Sequence, residues 1–236
     1  LGLHQKRIVG DEYYEFVDEF IEASRQLFPK VLIQFEDFLT PRAYTLMNKY
    51  KNKTLCFNDD IQGTASVALA GLYASTRISK IPFSELRILF LGAGSAATGI
   101  ADLIRYALQK EGLSGEQVYQ RLWFVDREGL LVKDRLNYSA HNLPYLQNES
   151  QMSFSETIEY FRPHVLIGAT GSAGTFTQDI IEQMSRINSR PTIFALSNPT
   201  SHAECTAEQA YMWSEGRAIF ASGSPFDEVQ FKGEIF

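Results

Sequence analysis

The stretch Arg87-Ile88-Leu89-Phe90-Leu91-Gly92-Ala93-Gly94-Ser95-Ala96-Ala97-Thr98-Gly99 decides the fold class. Ile88 to Leu91 is an unbroken apolar run, the pattern of a short strand buried on both faces of a parallel sheet. A glycine turn follows, and small residues then open a helix. A strand that feeds a helix in this way leaves backbone N–H groups unpaired at the helix N-terminus. Those groups and the helix dipole attract phosphate. Gly92 permits the tight turn, and Gly94 lets the backbone approach a pyrophosphate. Ala97 holds the third position, where Gly or Ala allows close packing. Gly99 adds a further small position. Gly92, Ala93, Gly94, Ser95, Ala96 and Ala97 are therefore the expected phosphate-binding turn of a dinucleotide site.

The next apolar run, Leu122-Trp123-Phe124-Val125, ends at Asp126. An acid at that strand end hydrogen-bonds an adenosine ribose. Asp126 lies further on than the usual roughly 20 residues, and the insert Glu111 to Arg121 accounts for the excess. A simpler reading makes Asp126 a turn residue before Arg127-Glu128-Gly129. Asp126 would repel a 2′-phosphate and favour NAD, whereas Arg127 would attract one and favour NADP, so both cofactors stay open.

Around this unit, strands are expected near 87–91, 121–125, 164–168, 192–196 and 217–221, with helices near 95–111, 177–187 and 206–214. Thr206 and Gln209 have the spacing of a capping box. Strands alternating with helices predict an α/β fold, a doubly wound parallel Rossmann-type sheet. Residues 137–155 are polar and irregular and read as a long loop or insertion.

Upstream, Asp11 to Phe28 has apolar residues at Tyr13, Phe16, Val17, Phe20, Ile21 and Leu27, the spacing of an amphipathic helix. Its acids read as a solvated face, and Pro29 ends it. Val31 to Phe35 and Thr54 to Asn58 read as short strands. Between them Thr40-Pro41 reads as an N-cap with proline at the first helical position, opening a helix to about Tyr50. Gly63 to Leu72 is a helix rich in small residues. The elements up to Asn58 predict part of a second α/β domain.

Two acidic pairs follow the two upstream strands: Glu36-Asp37 and Asp59-Asp60. Ligands of parallel α/β sheets gather beyond the carboxyl ends of the strands. Mg²⁺ and Mn²⁺ prefer oxygen ligands and keep positions open for water or substrate. Carboxylates from both pairs suit such an ion, which would chelate a 2-hydroxy or 2-keto acid and stabilise an enolate after loss of CO₂. Each pair is equally open to a reading as a helix cap. Downstream, Ile193-Phe194-Ala195-Leu196 runs into Ser197-Asn198-Pro199-Thr200, another strand end facing the expected cleft. The Asn198 side chain offers both a donor and an acceptor there, or simply forms an Asn-Pro turn. Gly168-Ala169-Thr170-Gly171 leaves room for a nicotinamide ribose.

The chain has 236 residues, 44% hydrophobic and 21% charged, which is enough for one large α/β domain and part of another. A net charge of −6 argues against nucleic acid or an anionic membrane as partner. The two cysteines, Cys56 and Cys205, have neither zinc nor disulfide-framework spacing and fit a reducing compartment. The expected location is cytoplasmic, with the mitochondrial matrix as the alternative. His4, His141, His164 and His202 are scattered without ligand spacing.

These pieces together resemble the malic enzymes. The matching stretches are Ile33-Gln34-Phe35-Glu36-Asp37-Phe38, Phe57-Asn58-Asp59-Asp60-Ile61-Gln62-Gly63-Thr64-Ala65, Gly92-Ala93-Gly94, Phe194-Ala195-Leu196-Ser197-Asn198-Pro199-Thr200 and Gly216 to Phe226. The resemblance implies oxidative decarboxylation of malate to pyruvate and CO₂ with reduction of NAD or NADP. By this likeness Glu36, Asp37 and Asp60 hold Mn²⁺ or Mg²⁺. Asp59 assists the general base, and Asn198 contacts substrate and nicotinamide. Residues 1–58 would be part of the substrate and metal domain, and residues 59–236 the dinucleotide-binding domain. The family's base lysine, acid tyrosine and a substrate-binding arginine lie upstream of the matched region, so little activity is expected of this chain alone. A homo-oligomer is implied for the complete enzyme. The competing readings are a non-catalytic dinucleotide-binding module and a metal-independent Rossmann dehydrogenase.

Overall fold

The computed structural model describes residues 4–236, with the side chains of Thr40 and Pro41 outside the described set. The chain divides into two compact units, Leu1–Asp60 and Ile61–Phe236.

In the first unit, α1 (Asp11–Leu27) precedes β1 (Ile33–Phe35), α2 (Thr40–Tyr50) and β2 (Cys56–Asn58). The cap expected of Thr40 falls on a side chain outside the described residues, and Leu39 occupies the position before the helix. β1 and β2 pair in parallel with Phe35 opposite Asn58. Both strands therefore stop at the same level, and the acids that follow them leave the sheet side by side. Ile21, Ile33, Phe35, Leu46 and Tyr50 form the core of this unit. Asp18 on α1 accepts hydrogen bonds from Lys49 and Tyr50 on α2. The expected apolar face of α1 is only partly covered: Ile21 is buried, whereas Phe16 and Phe20 are 62% and 59% exposed. One helix and a two-stranded ribbon can shield no more than a narrow stripe.

The second unit opens with α3 (Thr64–Ser79), which continues a π-helical turn over Asp59–Gly63. Then come β3 (Ile88–Leu91), α4 (Ser95–Lys110), α5 (Gly115–Tyr119), β4 (Leu122–Asp126), β5 (Gly129–Leu130), α6 (Phe154–Phe161), β6 (Val165–Gly168), α7 (Gln178–Ile187), β7 (Thr192–Ala195), α8 (Ala207–Trp213) and β8 (Ile219–Ser222). A short antiparallel hairpin, β9 (Gln230–Phe231) and β10 (Glu234–Ile235), follows. The central sheet has the order β5-β4-β3-β6-β7-β8. Every pairing is parallel except that of β5 with β4.

Alternation along the strands explains why the sheet is covered on both faces. Ile88, Phe90, Leu122, Phe124, Val165 and Ile167 pack with α3, α4 and α5. Leu89, Leu91, Trp123, Val125, Leu166 and Ile193 pack with α6, α7 and α8. A strand flanked by two apolar layers has no polar face to show, which is why these strands read as continuous apolar runs. The chain reverses its winding between β4 and β6, on either side of β3. This is the topological switch point at which such sheets bind ligands.

Residues 137–155 are not the peripheral insertion their polarity suggests. A 3₁₀ helix over Ala140–Tyr145 carries Tyr145 into the core, where it is fully buried. Its hydroxyl donates to Asp102 Oδ1 at 2.6 Å. The Gln147 amide donates to the carbonyls of Leu122 and Tyr145 at 3.3 and 3.1 Å. At the end of the sheet away from the glycine turn, His164 Nδ1 accepts the Arg87 N–H at 3.1 Å. Burial, with help from the charges of Arg87 and Arg121, pushes the His164 pKa down to about 4. Among the described residues no helix is long and apolar enough to cross a membrane.

Candidate functional site

The switch point holds an open cleft of about 820 Å³. Gly92, Ala93 and Gly94 line its floor, and Asp126, Arg127 and Arg135 line one side. Ala169 and Thr170, beyond β6, line the other. Gly92 has φ 101°, and a Cβ there would lie 2.4 Å from the Ala169 carbonyl oxygen. Only glycine satisfies both constraints. Its N–H donates to the Val125 carbonyl at 2.8 Å, which fixes the turn between β4 and β6. Gly94 stands at the N-cap of α4 and offers no side chain to the first-turn N–H groups. Ala97 is fully buried and works by seating α4 on the sheet. Gly99 does the same against the preceding helix: a Cβ there would meet the Ile61 carbonyl at 2.8 Å. The cleft volume falls in the range of cofactor sites, and an uncapped helix N-terminus under it suits a phosphate.

Asp126 sits at the end of β4 as expected, but its carboxylate is already engaged. Arg135 donates to Oδ1 at 2.8 Å and to Oδ2 at 2.7 Å, and the Glu128 N–H donates to Oδ1 at 2.8 Å. Arg135 also pairs with Glu128 at 3.2 Å and is only 9% exposed. This fork-to-carboxylate geometry both neutralises Asp126 and sets its orientation. Arg135 carries no motif signature. What recruits it is the return of the chain through β5 to the end of β4.

Across the cleft, the loops after β6 and β7 are joined. Ser197 Oγ accepts from the N–H groups of Thr170 and Gly171 at 3.0 and 2.9 Å. Glu204, fully buried, binds both loops. Asn198, next to Ser197, is exposed and lies outside the lining of the cleft.

In the first unit, the ends of β1 and β2 bring acids together. One carboxylate oxygen from each of Glu36, Asp37 and Asp60 lies within 4.8 Å of the others. Asp37 holds φ 59°, a left-handed conformation unusual outside glycine. Burial, reinforced by the charge of Asp37, raises the Asp60 pKa against the pull of the Asp37 and Phe38 N–H groups. The Gln34 amide pulls the Glu36 pKa down. Desolvation, a hydrogen bond with Asp59 and the charges of Asp59 and Asp60 outweigh it, so the net shift is upward. Asp60 Oδ2 is buried and has no hydrogen-bond partner among the described residues. A hard oxygen-donor set with a buried, unsatisfied carboxylate oxygen is the arrangement a divalent cation completes.

The sheet order, glycine turn and uncapped helix define a nicotinamide-dinucleotide-binding protein of the doubly wound class, joined to a unit with a converging carboxylate cluster. The comparisons with known proteins agree and go further. The family model described as "Malic enzyme, NAD binding domain" matches residues 61–236, and "Malic enzyme, N-terminal domain" matches residues 1–51. The chain belongs to the malic enzyme family. It is 51% identical over 231 residues to an NADP-dependent malic enzyme of Anas platyrhynchos, covering 97% of this chain and 42% of that protein. It is 48% identical over 240 residues to a chloroplastic NADP-dependent malic enzyme of Solanum lycopersicum, covering 100% of this chain and 42% of that one. Among solved structures, the Entamoeba histolytica malic enzyme superposes with a TM-score of 0.71 at 25% identity, covering 89% of this chain and 41% of that one. The chain thus spans about two fifths of the length of the curated relatives it matches.

Proposed function

We propose that this chain is the metal- and cofactor-binding portion of an enzyme that oxidatively decarboxylates malate to pyruvate and CO₂, reducing NADP. In this reading residues 1–58 contribute to the substrate and metal domain, and residues 59–236 form the dinucleotide-binding domain. The observation that carries it is the convergence of Glu36, Asp37 and Asp60 around the unsatisfied Asp60 Oδ2.

In this reading Glu36, Asp37 and Asp60 hold Mn²⁺ or Mg²⁺. Bound there, the cation supplies Lewis-acid polarisation of the substrate's 2-oxygen and stabilises enolate charge after loss of CO₂. Asp59, hydrogen-bonded to Glu36, keeps that carboxylate in place and assists proton removal from the 2-hydroxyl. The α4 N-terminus and Gly92 to Gly94 receive the pyrophosphate, and Asp126 faces the adenosine ribose. Asn198 contacts substrate and nicotinamide. NADP is favoured because Arg135 compensates the charge that would repel a 2′-phosphate, and Arg127 lines the same side. The curated relatives named above are themselves called NADP-dependent.

The test is L-malate-dependent formation of NADPH and NADH with Mn²⁺, with and without a chelator, alongside direct binding of Mn²⁺ and of each dinucleotide. We expect tight binding of metal and NADPH and little turnover by the chain alone. Cofactor reduction that survives the chelator would move the reading to a metal-independent dehydrogenase. Absence of both metal and dinucleotide binding would end it.

A further inference from the structure

Glu204 has no place in the chemistry above, yet it is the most completely engaged acid of the second unit. It is fully buried. Oε1 accepts from the Thr170 N–H at 2.9 Å, from the Thr170 hydroxyl at 2.8 Å and from the Ser197 hydroxyl at 2.5 Å. Oε2 accepts from the Ser197 N–H at 3.2 Å. Every side-chain contact is a donor, which an acceptor-only carboxylate satisfies and an amide cannot. Because the Ser197 hydroxyl gives its single hydrogen to Glu204, its lone pairs are turned towards the N–H groups of Thr170 and Gly171.

The direction of this network is the informative part. Thr170 and Gly171 follow β6, and Ser197 follows β7. Without Glu204 the Ser197 hydroxyl would lose the acceptor that orients its hydrogen, and it would only accept from Thr170 and Gly171. The fold has made room for the carboxylate. A Cβ on Gly168 would lie 2.5 Å from Glu204 Cγ and Cδ. The clamped loop in turn presses on the dinucleotide turn, where the Ala169 carbonyl occupies the space a Gly92 side chain would need. Pyrophosphate at the end of β3 and adenosine at the end of β4 leave only the β6 and β7 ends for the nicotinamide half. Thr170 lines the cleft on that side.

We propose that Glu204 is a positioning residue for the nicotinamide half of the cofactor. It acts through Thr170 and Ser197 to hold the two loops as one preformed wall, and it does not touch the cofactor itself. This rests on the cofactor reading above.

The test uses the whole chain and two probes, NADPH and 2′-phospho-ADP, the second lacking the nicotinamide riboside. In Glu204→Gln an amide N–H₂ faces donors, and losing a charge-assisted hydrogen bond of this kind corresponds to about 10- to 100-fold in affinity. We expect NADPH to weaken by about that factor while 2′-phospho-ADP stays within about threefold. Ser197→Ala removes only the relay hydroxyl, and the same split is expected of it. It decides the matter if the Glu204 variant does not fold. Equal loss of both probes, or loss of neither, overturns the proposal. Failure of the unaltered chain to bind either probe would instead overturn the cofactor reading on which it rests.

Discussion

Arg135 grips Asp126 through two parallel hydrogen bonds of 2.8 and 2.7 Å, so the acid at the end of β4 enters the cleft as half of an ion pair. A lone carboxylate at this position selects against a 2′-phosphate. A compensated one does not. Releasing Asp126 with Arg135→Gln should therefore weaken NADPH relative to NADH by roughly tenfold or more. Fluorescence titration with both reduced cofactors reads this directly. An unchanged ratio of the two affinities would show that the pair has no part in the choice.

Asp60→Asn should have opposite effects with and without metal. In the metal-free chain it removes the charge of a half-buried carboxylate that faces Asp37 and whose buried Oδ2 is unsatisfied, so the melting temperature should hold or rise. With Mn²⁺ present the unaltered chain should gain stability by mass action, about 2.7 kcal/mol at one hundred times its dissociation constant. The variant should gain little. If Mn²⁺ shifts both melting curves equally, the cation binds elsewhere.

Gly92→Ala should be destabilising by about 2–4 kcal/mol, since it combines a strained φ with a backbone clash. The Cβ would meet the Ala169 carbonyl at 2.4 Å, and that carbonyl belongs to the loop held by Glu204. Denaturant unfolding gives the stability, and NADPH titration of the folded fraction gives the second effect. Near-normal values in both would mean the turn relaxes more easily than its packing implies.

His164 sets a pH dependence of stability away from the cleft. Its folded pKa is about 4, against an ordinary value of 6.5. Above pH 6.5 both states are neutral and the contribution is complete; between 6.5 and 4 the unfolded chain takes up a proton that the folded one refuses, and stability falls; below 4 it is gone. With partial solvent exposure the loss is about 1–2 kcal/mol. Melting temperatures of His164→Gln should fall less steeply over this window than those of the unaltered chain. Identical slopes would remove His164 as the cause.

The sheet was legible because strands buried on both faces must be apolar throughout, and Ile88 to Leu91 and Leu122 to Val125 have no other use. The Thr206–Gln209 capping box was legible for the same reason, since its two reciprocal hydrogen bonds need that spacing. Identical logic points to Ser114–Gln117 and Ser153–Glu156, which cap α5 and α6. The polar residues around those boxes masked the short helices they start. Tyr145 was hidden because one buried aromatic in a polar segment has no periodicity. Arg135 and Glu204 were hidden for a different reason. Each meets its partners only after the chain has folded back, and nothing in the local spelling of either segment records that return.

The order β4-β3-β6 at the centre of the sheet also bears on how this cleft changes over time. In the proposed reading the adenosine side is spelled by residues around 126–142 and the opposite side by residues around 168–204, with the glycine turn between them belonging to neither. Substitutions that retune one side share few partners with the other, so their effects on affinity should add. Selection can then exchange the phosphate-reading corner while the opposite wall is inherited intact, and a shift from one dinucleotide to the other needs no rebuilding of the remainder.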